Sequence, residues 1–183
     1  MKSLPENNPR VLAIDPYALG IGFALMEGPE QLVDFGLKTI QAGGDKNARS
    51  LANIEELVER FDPNVVVVEE YQPQDYRRRV RACALVQEVL TLAAEKNLQA
   101  RAVSRQLVRT VFESDVAVNK YHIAKELAKC FPELELFLYP PRKLWIREPW
   151  GANVFDAVTL ALIFFSCQPG NTEDRSANQQ TGL

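Results

Sequence analysis

Three carboxylates stand alone at the ends or in the middle of apolar stretches that lie far apart in the chain. Asp15 follows Val11, Leu12, Ala13 and Ile14; Glu69 follows Val65, Val66, Val67 and Val68; Asp156 is the only charged residue between Gly151 and Asn171. A carboxylate in such surroundings is costly unless it is paired, hydrogen-bonded or bound to a cation. Brought together by a fold, the three offer hard oxygen ligands to a divalent ion, and such sites catalyse phosphoryl transfer. Each residue also has a plainer reading. Asp15 precedes Pro16 and suits a turn at a strand end. Glu69 can pair with an arginine among residues 77–81, and Glu70 falls on the opposite face of the same strand. Asn153 is a good helix N-cap, with Asp156 three positions on, which makes a capping box. The last two readings are compatible, since a capped helix start can present Asp156 to a metal while Asn153 offers a neutral oxygen.

Basic and aromatic residues follow the second acid. Arg77, Arg78, Arg79 and Arg81 are crowded just after Glu69, and Arg101, Arg105 and Arg109 come next. The net charge is only −3, so the whole chain has no basic signature. Its distribution is uneven: residues 1–70 hold 6 basic and 12 acidic side chains, whereas residues 71–112 hold 8 and 3. A local basic segment that starts at the acids reads as a track for phosphates leading to them. A solvated face is the alternative. Tyr71 and Tyr76 lie in the same stretch, where they either stack on nucleic-acid bases or pack internally. His122, the only histidine, sits in a helical pattern that suits solvation or packing.

The elements that must position these residues follow from periodicity. Residues 10–14, 20–26 and 31–40 read as strands, with Gly28-Pro29 as a turn, and the first two are close enough to form a hairpin. Residues 47–61 place Leu51, Ile54, Leu57, Val58 and Phe61 at helical spacing, and Asp62-Pro63 ends that helix. Residues 65–68 form a short continuous apolar strand, as in a sheet covered on both faces. A helix over 76–96 or 80–96, a strand over 99–103 and a helix over 105–112 capped by Ser104 come next. A helix from an Asn119 cap to residue 130, a proline-punctuated loop with Trp145 and Trp150, and a helix over 153–166 complete the pattern. The helix over 80–94 has an apolar face that reads as too broad for a surface helix, and so as part of a subunit interface.

The 183 residues, 46% of them hydrophobic, suit one domain over 10–167, with a flexible N-terminus over 1–9 and a disordered polar tail over 168–183. Cys83, Cys130 and Cys167 are widely spaced and read as buried free thiols in a reducing compartment. The first residues lack the apolar core of a signal peptide, and no run is long enough to span a bilayer, so a cytoplasmic protein without membrane partners is expected. Three antiparallel strands followed by two parallel ones predict an α/β fold: a five-stranded mixed sheet with helices on both faces. Ligands of such sheets gather at the carboxyl ends of the strands, where Asp15 and Glu69 fall.

This arrangement resembles the ribonuclease H-like superfamily, and within it the RuvC-type Holliday junction resolvases. Ile14-Asp15-Pro16 followed by Gly20-Ile21-Gly22-Phe23 resembles the family's first strand and hairpin. Val67-Val68-Glu69-Glu70-Tyr71 resembles its acidic strand end. Residues 105–111 with Asn119-Lys120 resemble the region of its phosphate-binding lysines, and Phe155-Asp156-Ala157 resembles its last-helix motif. The match runs over residues 10–167. It departs from the family at Tyr17, where a glycine is usual, at Asn153, where an acid or histidine is usual, and around Leu19 and Ile21, where small polar residues are usual.

The resemblance implies a homodimeric endodeoxyribonuclease that cuts branched, four-way DNA with Mg²⁺ or Mn²⁺. Asp15, Glu69 and Asp156 would hold two ions, Asn153 would offer an oxygen, and Lys120 would touch the scissile phosphate. Arg77, Arg78, Arg79, Arg81, Arg105, Arg109, Tyr71 and Tyr76 would hold the DNA. The alternative is a resolvase-like module that binds nucleic acid with little or no cleavage. A kinase of the related actin-like group needs a second domain for which this chain is too short.

Overall fold

The computed structural model describes residues 8–41, 43–71, 79–104, 107, 120–141 and 149–168. Five strands, β1 (Arg10–Tyr17), β2 (Gly20–Glu27), β3 (Leu32–Thr39), β4 (Val65–Glu70) and β5 (Gln99–Ser104), form one sheet in the order β3-β2-β1-β4-β5. The first three are antiparallel; β4 runs parallel to β1, and β5 parallel to β4. This is the mixed sheet that the sequence predicts.

Both faces are covered, as the unbroken apolar runs require. Val11, Ala13, Ala24, Met26, Val65 and Val67 face helices α3 (Lys120–Cys130) and α4 (Ala152–Ser166), with a 3-10 helix (Pro132–Phe137) between the two. Leu12, Ile14, Ile21, Phe23, Leu25, Val66 and Val68 face α1 (Lys46–Phe61) and α2 (Val80–Glu95). Asp45 caps α1 by accepting from the Asn47 and Ala48 amides at 2.8 and 3.1 Å. Asp62 ends the helix in the left-handed region, at φ 42°.

Asn64, just before β4, ties three strands together. Its side-chain oxygen accepts from the Arg10 amide at 2.8 Å, its own amide donates to the Arg10 carbonyl at 2.8 Å, and its carbonyl accepts from Gln99 at 3.3 Å. Ser104 accepts from the Leu107 amide at 3.3 Å, the bond expected of the N-cap there. The remainder of that helix lies outside the described residues, as do most of the N-terminal segment and nearly all of the polar tail.

Several expectations are corrected. The loop expected after residue 131 begins with the 3-10 helix, which starts at Pro132, a residue with no amide to leave unpaired. Only Cys83 is a buried thiol; Cys130 and Cys167 lie at helix ends and are exposed. The broad apolar face of α2 is spent within the chain. Cys83, Leu85, Val86, Val89, Leu92 and Ala93 are buried, and Val80, Ala84, Gln87, Thr91 and Ala94 form the exposed side. Much of the breadth reflects packing on both the sheet and α1, while Val80, Ala84 and Ala94 remain on the exposed side. No helix among the described residues is long and apolar enough to cross a membrane.

Candidate active site

Strand register brings the first two acids together. Ile14 is level with Val68 across the parallel β1–β4 pair, so Asp15 and Glu69 are the next residues on adjacent strands. Side chains alternate, and both acids share the face of Val11, Ala13, Val65 and Val67. Their backbones are therefore about 4.8 Å apart, with side chains on one side of the sheet. Glu70 takes the other face and is exposed. Parity thus selects Glu69 without appeal to any relative. Both acids are buried, at 6% and 8% exposure.

The third acid arrives on α4, and a glycine lets it approach. Asp15 pairs across the hairpin with Gly22. A Cβ on Gly22 would stand 2.3 Å from the Asn153 carbonyl oxygen, so the start of α4 rests on bare β2 backbone. The helix begins at Ala152 with Gly151 at the N-cap and no side-chain cap. The capping-box reading of Asn153 and Asp156 is therefore incorrect. Asn153 already lies within the first turn, buried, and its Nδ2 donates to Asp15 Oδ2 at 2.7 Å. Asn153 thus turns an N–H, rather than an oxygen, toward the acids.

Asp156 lies one helical turn further on and accepts from Lys120 Nζ at 2.6 Å. Lys120 is the first residue of α3, and its carbonyl accepts from the Tyr139 hydroxyl at 3.4 Å. Arg79 approaches Glu69 more loosely, at 3.6 Å, and its guanidinium lies over the Tyr71 ring at 5.7 Å. All three acids, with Asn153, Lys120 and Arg79, line one open cavity of about 540 Å³. Among the described residues, no three histidine, cysteine or acidic side chains are close enough to hold one metal ion together.

The electrostatics follow from burial. Burial first, then the charge of Asp156, lift Asp15 well above the usual carboxylate range; Asn153 and Lys120 offset this, and Glu69 adds to it. Burial, with Glu69 and Asp15 nearby, also holds the Tyr71 hydroxyl well above the ordinary phenol range. Burial works against the Arg79 charge, but Glu69 and Tyr71 outweigh it and raise the guanidinium. Around these acids the cavity wall also carries Lys46, Arg79, Arg81 and Lys120.

Two residues expected to hold nucleic acid are placed otherwise. Arg81 donates to the Tyr17 carbonyl at 2.5 Å, to Ser50 Oγ at 2.9 Å and to the Lys46 carbonyl at 3.5 Å. It braces α1, α2 and the end of β1, because its long side chain reaches acceptors on the last residue of β1 and in the first turns of α1. Tyr71 is buried in the core layer on the α1–α2 face, not presented to solvent. Tyr76, Arg77, Arg78, Arg105 and Arg109 lie outside the described residues. Lys46, which the sequence reading passed over, lines the cavity wall. The role of Gly22 had a usable signal, since a glycine inside a strand marks close backbone approach.

No family model matches the sequence, and no curated protein matches it. Solved structures do. RuvC of Thermus thermophilus in complex with a Holliday junction substrate superposes with a TM-score of 0.60 at 19% identity, over 85% of this chain and 91% of that one. A second structure of Thermus thermophilus RuvC gives 0.58 at 20% identity, over 86% and 94%. The yeast mitochondrial Holliday junction resolvase Ydc2 gives 0.56 at 17% identity, over 87% and 80%. With its sheet order and the helices on both faces, the chain has the ribonuclease H-like α/β fold of the RuvC-type resolvases.

Proposed function

We propose that this chain is a structure-selective, divalent-metal-dependent endodeoxyribonuclease that cuts four-way DNA junctions in recombination and repair. The observation that carries the reading is the convergence of Asp15, Glu69 and Asp156 on one cavity at the carboxyl ends of β1 and β4. Buried carboxylate suits a hard cation, and Mg²⁺ or Mn²⁺ needs only one or two such ligands beside water and phosphate oxygens. Asp15 and Glu69 fit that requirement. When bound, the ion supplies charge neutralisation at phosphorus and activation of water. Hydrolysis then forms a bond from the water oxygen to phosphorus and breaks the bond from phosphorus to the 3′ oxygen.

The chain's own residues have separable roles in this reading. Asn153 orients Asp15 through its 2.7 Å bond. Lys120 stands at the mouth of the site, where it meets the scissile phosphate while holding Asp156. Arg79 and Lys46 on the cavity wall begin the phosphate track; from the resemblance, Arg77, Arg78, Arg105 and Arg109 are proposed to hold DNA as well. Arg81 positions the wall rather than the DNA. Two symmetric cuts need two sites, so a homodimer is part of the proposal, as is a cytoplasmic location.

One observation favours a second reading, a junction-binding module with little cleavage. Each carboxylate already has a partner within the chain: Asn153, Arg79 or Lys120. The test is incubation of labelled four-way junction, duplex and RNA–DNA hybrid with Mg²⁺ or Mn²⁺, with Asp15→Asn and Asp156→Asn beside the parent. Junction-selective cleavage lost in both variants supports the nuclease. Junction binding without cleavage supports the module, and cleavage that survives in both variants removes this site.

A further inference from the structure

The hairpin that carries Asp15 ends in a turn that the rest of the chain holds in place. Tyr17 lies two residues beyond Asp15 in β1, about 7 Å along the strand and on the same face of the sheet. Its rung of the ladder runs from Tyr17 through Gly20 on β2 to Thr39 on β3. A Cβ on Gly20 would run into the Lys38 carbonyl, so the middle of the rung is bare. The Tyr17 side chain crosses that gap, and its hydroxyl meets Thr39 Oγ1 at 3.3 Å in an exposed bond. Two further bonds hold the backbone of the turn. The Tyr17 carbonyl accepts from Arg81 at 2.5 Å, and the Leu19 carbonyl accepts from the Ile40 amide at 2.8 Å. What this turn presents is largely apolar: Ala18 and Leu19 are exposed, and Tyr17, which lines the cavity with the acids, is partly so. A phosphate gains nothing from such a surface, but the flat face of a base does, and a ring already held in place loses little freedom on binding one.

We propose that Tyr17 stacks on the base next to the scissile phosphate and thereby selects branched DNA. The inference rests on the nuclease reading and gives its structure selectivity a residue. In continuous duplex both faces of every base pair are covered by neighbouring pairs, so the ring has nothing to cover unless a step is unstacked. At an opened branch point a pair beside the crossover has lost one neighbour, and its free face meets Tyr17. The basic residues of the cavity wall contact phosphates, which every duplex offers, and so do not make this distinction.

The experiment reads binding rather than cleavage. Affinities of the full chain for a labelled four-way junction and for matched duplex are measured in EDTA, where nothing is cut, at one low salt concentration. Tyr17→Leu still covers Gly20 but offers no aromatic face, whereas Tyr17→Phe keeps the ring. The parent and Tyr17→Phe prefer the junction, and Tyr17→Leu loses about 10-fold of that preference, in the range of one stacked base. Junctions with single abasic positions around the branch then locate the base. At one position the abasic substitution weakens the parent by the same factor and leaves Tyr17→Leu unchanged. A Tyr17 that only covers Gly20 couples to no base. No loss of preference in Tyr17→Leu, a loss that couples to no position, or an equal loss in Tyr17→Phe overturns the proposal and leaves the nuclease reading standing. A parent with no preference for the junction overturns both.

Discussion

Gly22→Ala is the sharpest perturbation of the site, because it adds one methyl group and touches no acid. The new Cβ would lie 2.3 Å from the Asn153 carbonyl oxygen, 2.7 Å from its carbon and 2.9 Å from its Cβ. Ordinary contact needs about 3.5 Å, so the start of α4 must retreat by about 1 Å. The obstacle is helix backbone, which cannot rotate away as a side chain tip would. Overpacking of this kind costs about 1–3 kcal/mol, which at about 2–4 °C per kcal/mol for a chain of this size lowers the melting temperature by about 2–12 °C. The same retreat carries Asn153 and Asp156 away from Asp15, and a misplacement of about 1 Å in a catalytic constellation costs about 100-fold in rate. Thermal melting and single-turnover cleavage of a four-way junction read the two effects separately. A variant that melts and cuts like its parent refutes the claim that Gly22 sets the approach of α4.

Other outcomes follow from the same geometry. In EDTA, Asp15→Asn melts at a higher temperature than the parent, since it removes a buried charge crowded by Asp156 and Glu69; a lower melting temperature would mean that the carboxylate is already fully compensated. Asn153→Asp, which sets a further acid against Asp15, melts lower in EDTA and gains more from Mn²⁺ than the parent; equal gains would show that the residue does not face the ion. Arg81→Ala loses its bonds to Tyr17 and Ser50 and is destabilised by about 1–3 kcal/mol, with no change in the salt dependence of junction binding. Arg79→Ala does the opposite, reducing the slope of log affinity against log salt by about 1 with little loss of stability. If the two arginines exchange these effects in melting and binding titrations, their assigned roles are wrong.

The sheet was legible in the sequence because its strands are buried on both faces and read as unbroken apolar runs, and because the acids stand where those runs stop. Helices α1 and α3 were legible from spacing alone. The start of α4 was not. Asn153 has the chemistry of a cap, but a cap is set by backbone geometry, and here Gly151 takes that position while Asp15, distant in sequence, claims the Asn153 amide. Arg81 was misread for a related reason. Four arginines within five residues look like one feature, yet Arg81 falls in the first turn of α2, where carbonyls of Tyr17 and Lys46 are within reach. Tyr71 and the breadth of α2 share a further cause: whether an apolar or aromatic residue faces solvent depends on which elements pack there, and periodicity does not say.

The four identical valines of β4 do not by themselves fix that strand's alignment. A slip by one residue against β1 would set Glu70 where Glu69 stands and carry Glu69 into the place of Val68, which is fully buried in the apolar layer facing α1 and α2. The valines alone would not resist such a slip, but a carboxylate in that apolar layer would. From outside the repeat, Asn64 adds to this, and its contacts with Arg10 and Gln99 fasten the entry of β4 to both neighbours. A residue at the far end of the strand from the carboxylates thus helps to keep Glu69 on the cavity side. Asn64→Ala loosens the entry of β4 but leaves in place the cost of burying Glu69 in the core.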